Sequence, residues 1–97
     1  MNVVEEKSFD FAVRVIETAK ELRKMHKEYE LTSQFVRSGT SVGANVCEAV
    51  KAQSKRDFIA KMSIAKKEAN EVRYWIRLLK QTGYISEQQG KELLALA

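Results

Sequence analysis

The chain has 97 residues, no proline, four glycines and one cysteine, Cys47, so neither an intrachain disulfide nor a cysteine-based metal cluster is available. Hydrophobic residues at 44% are mixed with 31% charge, which suits solvated amphipathic helices and predicts an all-α class. No apolar run approaches the roughly 18–20 residues needed to span a bilayer, and the start MNVVEEKSFDF is too acidic and too broken for a signal peptide, so a cytoplasmic protein with no membrane association is expected.

Three helices and the start of a fourth follow in chain order. Helix A is predicted from about Ser8, as N-cap, to about Tyr29, with Ala12, Val15, Ile16, Ala19, Leu22, Met25 and Tyr29 at three-to-four spacing. Helix B starts at Thr32 as N-cap, with Leu31 and Val36 at the spacing of a hydrophobic staple, and ends near Gln53. Helix C is capped by Ser54, with Asp57 in capping-box position, and runs to Gly83, a left-handed residue just beyond its end. Ser86 followed by Gln89 signals a fourth start, which leaves only Glu87 to Ala97 for a short helix D.

Short connections at Glu30–Leu31 and Gln53–Ser54 force successive helices to fold back on each other. The expected architecture is one domain, residues 1–97, an antiparallel up-and-down four-helix bundle. Two unbroken apolar seams should face one core: Phe35, Gly39, Val42, Val46 and Ala49 on helix B, and Phe58, Met62, Ala65, Ala69, Val72, Ile76 and Leu79 on helix C. Ser38, Gly39, Ser41 and Gly43 are poor helix formers, each glycine costing up to about 1 kcal/mol relative to alanine. Close packing against a neighbouring helix is the compensation to look for.

Polar stripes border both seams. Helix B carries Ser38, Ser41, Asn45, Glu48 and Ala52, and helix C carries Ile64, Glu68, Glu71, Trp75 and Leu78. Two readings stand. Either Asn45 and Glu48 satisfy partners at a helix–helix boundary, as buried polar groups do, or Asn45, Glu48, Glu68, Glu71 and Trp75 form a subunit contact whose register is set by hydrogen bonds, with Trp75 as aromatic anchor. Trp75 reads equally as part of the bundle core.

Charge is unevenly placed. Ser54 to Gly83 hold eight Lys or Arg against three acids, +5, and the rest of the chain sums to −1. Lys66, Asn70, Arg73, Arg77 and Lys80 share one face. That stripe is either a solvated surface or, through Lys66, Arg73, Arg77 and Lys80, a track for RNA or DNA phosphates. Catalysis has little support: His26 is the only histidine and has no serine or cysteine near it in sequence, Glu68 and Glu71 lack the Glu-x-x-His pairing of di-iron bundles, and Cys47 lies among small residues. No cofactor, no metal and no enzymatic activity are expected.

RSGTSVGANVCEA followed by SKRDFIAKMSIAKKEANEVRYWIRLL resembles the bacterial four-helix-bundle proteins named for reading frames inside intervening sequences of 23S rRNA genes. The similarity covers about residues 8–85 and falls on Arg37, Ser38, Ser41, Asn45, Glu48, Ser54, Phe58, Lys66, Glu68, Glu71 and Trp75. The resemblance implies a subunit that assembles into a ring, commonly a homopentamer. It also implies similarity to the accessory protein of diversity-generating retroelements, a basic pentameric barrel that engages nucleic acid and a reverse transcriptase. Family members usually carry a longer fourth helix than Glu87 to Ala97. The expected role is a homo-oligomeric bundle associating with nucleic acid or a ribonucleoprotein through helix C. The alternative is a structural or protein-interaction module in which helix C faces a protein partner or solvent.

Overall fold

The computed structural model describes residues 2–97 and contains α1 (Val3–His26), α2 (Glu30–Val50), α3 (Lys55–Gln81) and α4 (Glu87–Leu96). The first helix starts earlier than Ser8 because Asn2 and Glu5 form a complete capping box: the Asn2 side chain accepts from the Glu5 N–H at 2.8 Å, and the Glu5 carboxylate accepts from the Asn2 N–H at 3.2 Å. Ser8 instead lies inside α1, buried, with its hydroxyl donating to the Glu5 carbonyl. The helix ends before Tyr29, where Lys27 takes a left-handed conformation at φ 52°.

Thr32 is likewise not the cap of α2. It sits within the first turn, fully buried, and donates its hydroxyl to the Glu28 carbonyl at 2.7 Å while accepting from Arg23 Nε at 3.0 Å. Its free N–H donates to the Glu28 carboxylate at 3.0 Å, so a residue just outside the helix does the capping. At the other end α2 stops at Val50, short of Gln53.

The signals around α3 and α4 act as their chemistry predicts. Ser54 Oγ accepts from the Asp57 N–H at 3.0 Å, although the reciprocal arm of the box is not formed. Gly83, at φ +85°, ends α3 in a Schellman turn: its N–H donates to the Lys80 carbonyl at 3.2 Å and the Tyr84 N–H to the Leu79 carbonyl at 2.9 Å. Ser86 and Gln89 form a complete box that starts α4.

Consecutive helices pack side by side, α4 closes against α1, and the two diagonals make no comparable approach. This is the up-and-down arrangement. The core joins Phe11, Val15, Ala19 and Leu22 of α1 to Phe35 of α2, Val72, Ile76 and Leu79 of α3, Ile85, and Leu93 of α4. The buried stripe of α1 therefore runs Ser8, Phe11, Val15, Ala19, Leu22. Ile16, Met25 and Tyr29 point outward, because this helix carries apolar residues on more than one side and only its neighbours select the face.

Glycine in α2 answers to α1. A Cβ at Gly39 would stand 2.9 Å from both Val15 methyls, and one at Gly43 would stand 3.2 Å from the Ser8 carbonyl oxygen. The helices meet where these side chains are absent, which offsets the poor propensity of the segment.

On α3 the seam holds from Ala65 to Leu79 but opens toward the helix start. Ala65, Val72, Ile76 and Leu79 are buried, Met62 and Ala69 half-buried, and Phe58 is 42% exposed. With 10 residues against 27, α4 spans about 15 Å beside a helix of about 40 Å. Beyond its end a cleft of about 210 Å³ lies between Val4, Phe11, Val42, Val46 and Ala69, closed at one side by Leu96 and Ala97.

Candidate functional site

The antiparallel pairing of α2 and α3 makes one polar seam from residues distant in sequence. Arg37 donates to Glu68 at 3.2 Å and also binds the Glu71 carboxylate, which accepts in addition from the Trp75 indole N–H at 3.2 Å. Farther along, Asn45 Nδ2 donates to the Ser41 carbonyl at 2.9 Å, and Glu48 lies 3.7 Å from Lys61 Nζ. Glu68, Glu71 and Trp75 thus border the α2–α3 groove where Arg37 crosses it, and Glu48 meets Lys61 across it farther along, whereas the hydrogen bond of Asn45 stays within α2. Sequence reasoning about helix faces left Arg37 out of the interface set; its signal was a lone cation on α2 opposite the acidic flank of an antiparallel neighbour.

The Glu71 carboxyl is held below the usual carboxylate range, first by the Trp75 hydrogen bond and then by Arg37, against burial that pushes it upward. The Arg37 guanidinium is raised in turn, chiefly by its hydrogen bond to Glu71. A carboxyl lowered in the folded state stabilises the fold fully above its unfolded pKa, about 4.3, and loses that contribution as pH falls through the folded value. Acid titration of thermal stability should therefore show a steeper decline below about pH 4.3 for the parent than for Glu71→Gln. Because Arg37 is half-exposed, the gap at neutral pH should be at most about 1 kcal/mol. Superimposable pH profiles would remove Glu71 from any stabilising role.

The basic face of α3 lies on the opposite flank. Lys66, Arg73 and Arg77 are exposed and form no ion pair among the described residues. Lys80 is drawn away from them: its ammonium lies 3.9 Å from Glu87, and its stem packs where a Cβ on Gly90 would come within 2.7 Å of Cδ. The glycine in α4 gives that stem its channel. Three free cations therefore carry the face, with Lys80 partly committed to holding α4.

The remaining polar candidates have structural surroundings. His26 is exposed at the end of α1 and meets Tyr84 edge-to-face at 5.3 Å. Cys47 is half-buried beside Gly43, Ala44 and Phe9. Among the described residues no group of three or more His, Cys, Asp or Glu is placed to hold a metal ion, and no helix is long and apolar enough to cross a membrane.

Comparison with known proteins agrees with this architecture. The family model described as 23S rRNA-intervening sequence protein matches residues 2–97. A crystal structure from Bacteroides thetaiotaomicron, of a protein of unknown function from the S23 ribosomal protein family, is 48% identical; the match covers 97% of this chain and 87% of that one, with a TM-score of 0.95. No curated protein matches the chain.

Proposed function

Because the chain belongs to the 23S rRNA-intervening sequence protein family, we propose that it is a non-enzymatic, homo-oligomeric bundle of the cytoplasm that associates with nucleic acid or a ribonucleoprotein through α3. The carrying observation is the exposed face of Lys66, Arg73 and Arg77, whose cationic heads are not consumed by carboxylates within the fold. Such heads bind phosphate by releasing condensed counterions, which makes association salt-dependent and indifferent to sequence.

Self-association completes this reading. Ile64, on the flank that carries Glu68 and Glu71, is exposed, as is Phe58 nearer the start of α3, so the α2–α3 groove borders apolar surface that a second subunit would cover. The two flanks of α3 differ in charge, one acidic with Trp75 and the other basic, which favours a head-to-tail contact. Such contacts close into rings, and a pentamer is the proposed form. Repeating a weak basic face around a ring raises the effective concentration of each further phosphate contact.

A double charge reversal, Arg73→Glu with Arg77→Glu, tests the proposal when binding and mass are measured together. Affinity for RNA and DNA should fall alike across sequences, the salt slope should flatten by about two for each engaged subunit, and the oligomeric mass should stay unchanged. Unaltered affinity, or no binding by the parent at low salt, would favour the protein-interaction module. A monomeric parent at tens of micromolar would reject the ring.

A further inference from the structure

We infer that the outward surface of α3 around Tyr74 is a stacking site for an unpaired base of a single-stranded nucleic acid, an inference that rests on the reading of α3 as the nucleic-acid face. Tyr74 is 56% exposed. Its ring meets Trp75 edge-to-face, with centroids 5.1 Å apart and planes at 76°. Trp75 is itself anchored, packed against the core and bonded through its indole N–H to Glu71. A large exposed aromatic is thereby held in orientation from one side, so little side-chain entropy is lost when a flat partner lies on it.

The ring borders a shallow, open surface hollow lined by Tyr74, Arg77, Leu78, Lys80 and Gln81, which leaves a flat partner free access to it. The hollow sets an aromatic plane for a base beside cations, Arg77 and Lys80, for phosphate. Arg73 and Arg77 stand one helical turn apart on the same flank of Tyr74 and are both free of ion pairs among the described residues. A duplex hides its base faces in the stack and offers only phosphates to such a surface. A single strand offers both, and every base has a π-face, so the site discriminates strandedness rather than sequence.

The test compares a 15-nucleotide oligo(U) and oligo(dT) with a duplex of equal length at low salt, using the parent, Tyr74→Ala, Tyr74→Phe and the Arg73→Glu/Arg77→Glu double variant. The parent should prefer both single strands. Tyr74→Ala should weaken single-strand binding about tenfold, the loss of one stacked base, with the salt slope and duplex affinity unchanged. Tyr74→Phe should keep the parent affinity, because the ring and not the hydroxyl makes the contact. Emission from Trp75, the only tryptophan in the chain, should change on adding single strand. Equal affinity of parent and Tyr74→Ala, or equal affinity of parent for single strand and duplex, overturns the stacking site. So does a Tyr74→Ala loss that accompanies a fall in oligomeric mass, which would place Tyr74 at a subunit contact. If the double variant weakens binding while Tyr74→Ala does not, stacking falls and the electrostatic face stands; no binding by the parent removes both.

Discussion

Ile76→Ala should lower the free energy of unfolding by about 2–5 kcal/mol, because the lost transfer energy of the side chain adds to the cavity it leaves. Ile76 has no exposed surface and belongs to a core assembled from all four helices, including Phe11, Phe35, Leu79 and Leu93. None of those neighbours is free to collapse into the gap without moving a helix, so the upper half of the range is expected. Met62→Ala on the same seam should cost less, since Met62 is only half-buried and lies beyond the reach of the short α4. Denaturant midpoints at one fixed protein concentration would measure both, with unchanged slopes showing that the denatured states compare fairly. Equal costs at the two sites would mean that the open end of the bundle is as well packed as its middle.

Gly39→Val is the second large effect. A Cβ at this position already falls 2.9 Å from both Val15 methyls, a distance real Cβ atoms do not adopt, and valine adds two further methyls in the same direction. Separating α1 from α2 or forcing Val15 off its rotamer should cost about 1–3 kcal/mol or more. The cause is specific, so Val15→Ala should restore part of the loss: the double variant should be more stable than the sum of the single costs implies. Additive costs would show that the Gly39–Val15 contact does not set the helix separation. Gly39→Ala should be milder, because its helix propensity gain of about 1 kcal/mol offsets part of the crowding.

These two sites differ in how far they could be read from sequence. Ile76 lies on a seam whose four-and-three spacing is unambiguous from Phe58 to Leu79, and burial of its middle and end follows. Gly39 announces itself only as a poor helix former. That it meets Val15 is a fact of α1 packing on α2, and no local window contains both residues. The polar groove behaves similarly. Glu68, Glu71 and Trp75 share a flank by periodicity alone, whereas Arg37 joins them across 31 and 34 positions of chain.

Sequence by itself determined the all-α class, the hairpin order, the seam of α3 from Ala65 to Leu79, and the terminal signals at Ser54, Gly83 and Ser86, because each of these is settled within a window of a few turns by side-chain period or by hydrogen bonding to free backbone groups. Tertiary structure decided which apolar face of α1 is buried, bringing Phe11 in and leaving Ile16 and Met25 out. It decided that Thr32 would be sealed between Arg23 and Glu28 rather than cap a helix. It also diverted Lys80 toward Gly90 and Glu87 while leaving Arg73 and Arg77 free. The physical reason is common to all of these: a helix surface has several faces of nearly equal intrinsic merit, and the neighbour that covers one of them, at a separation set by the smallest residues between the two helices, chooses among them.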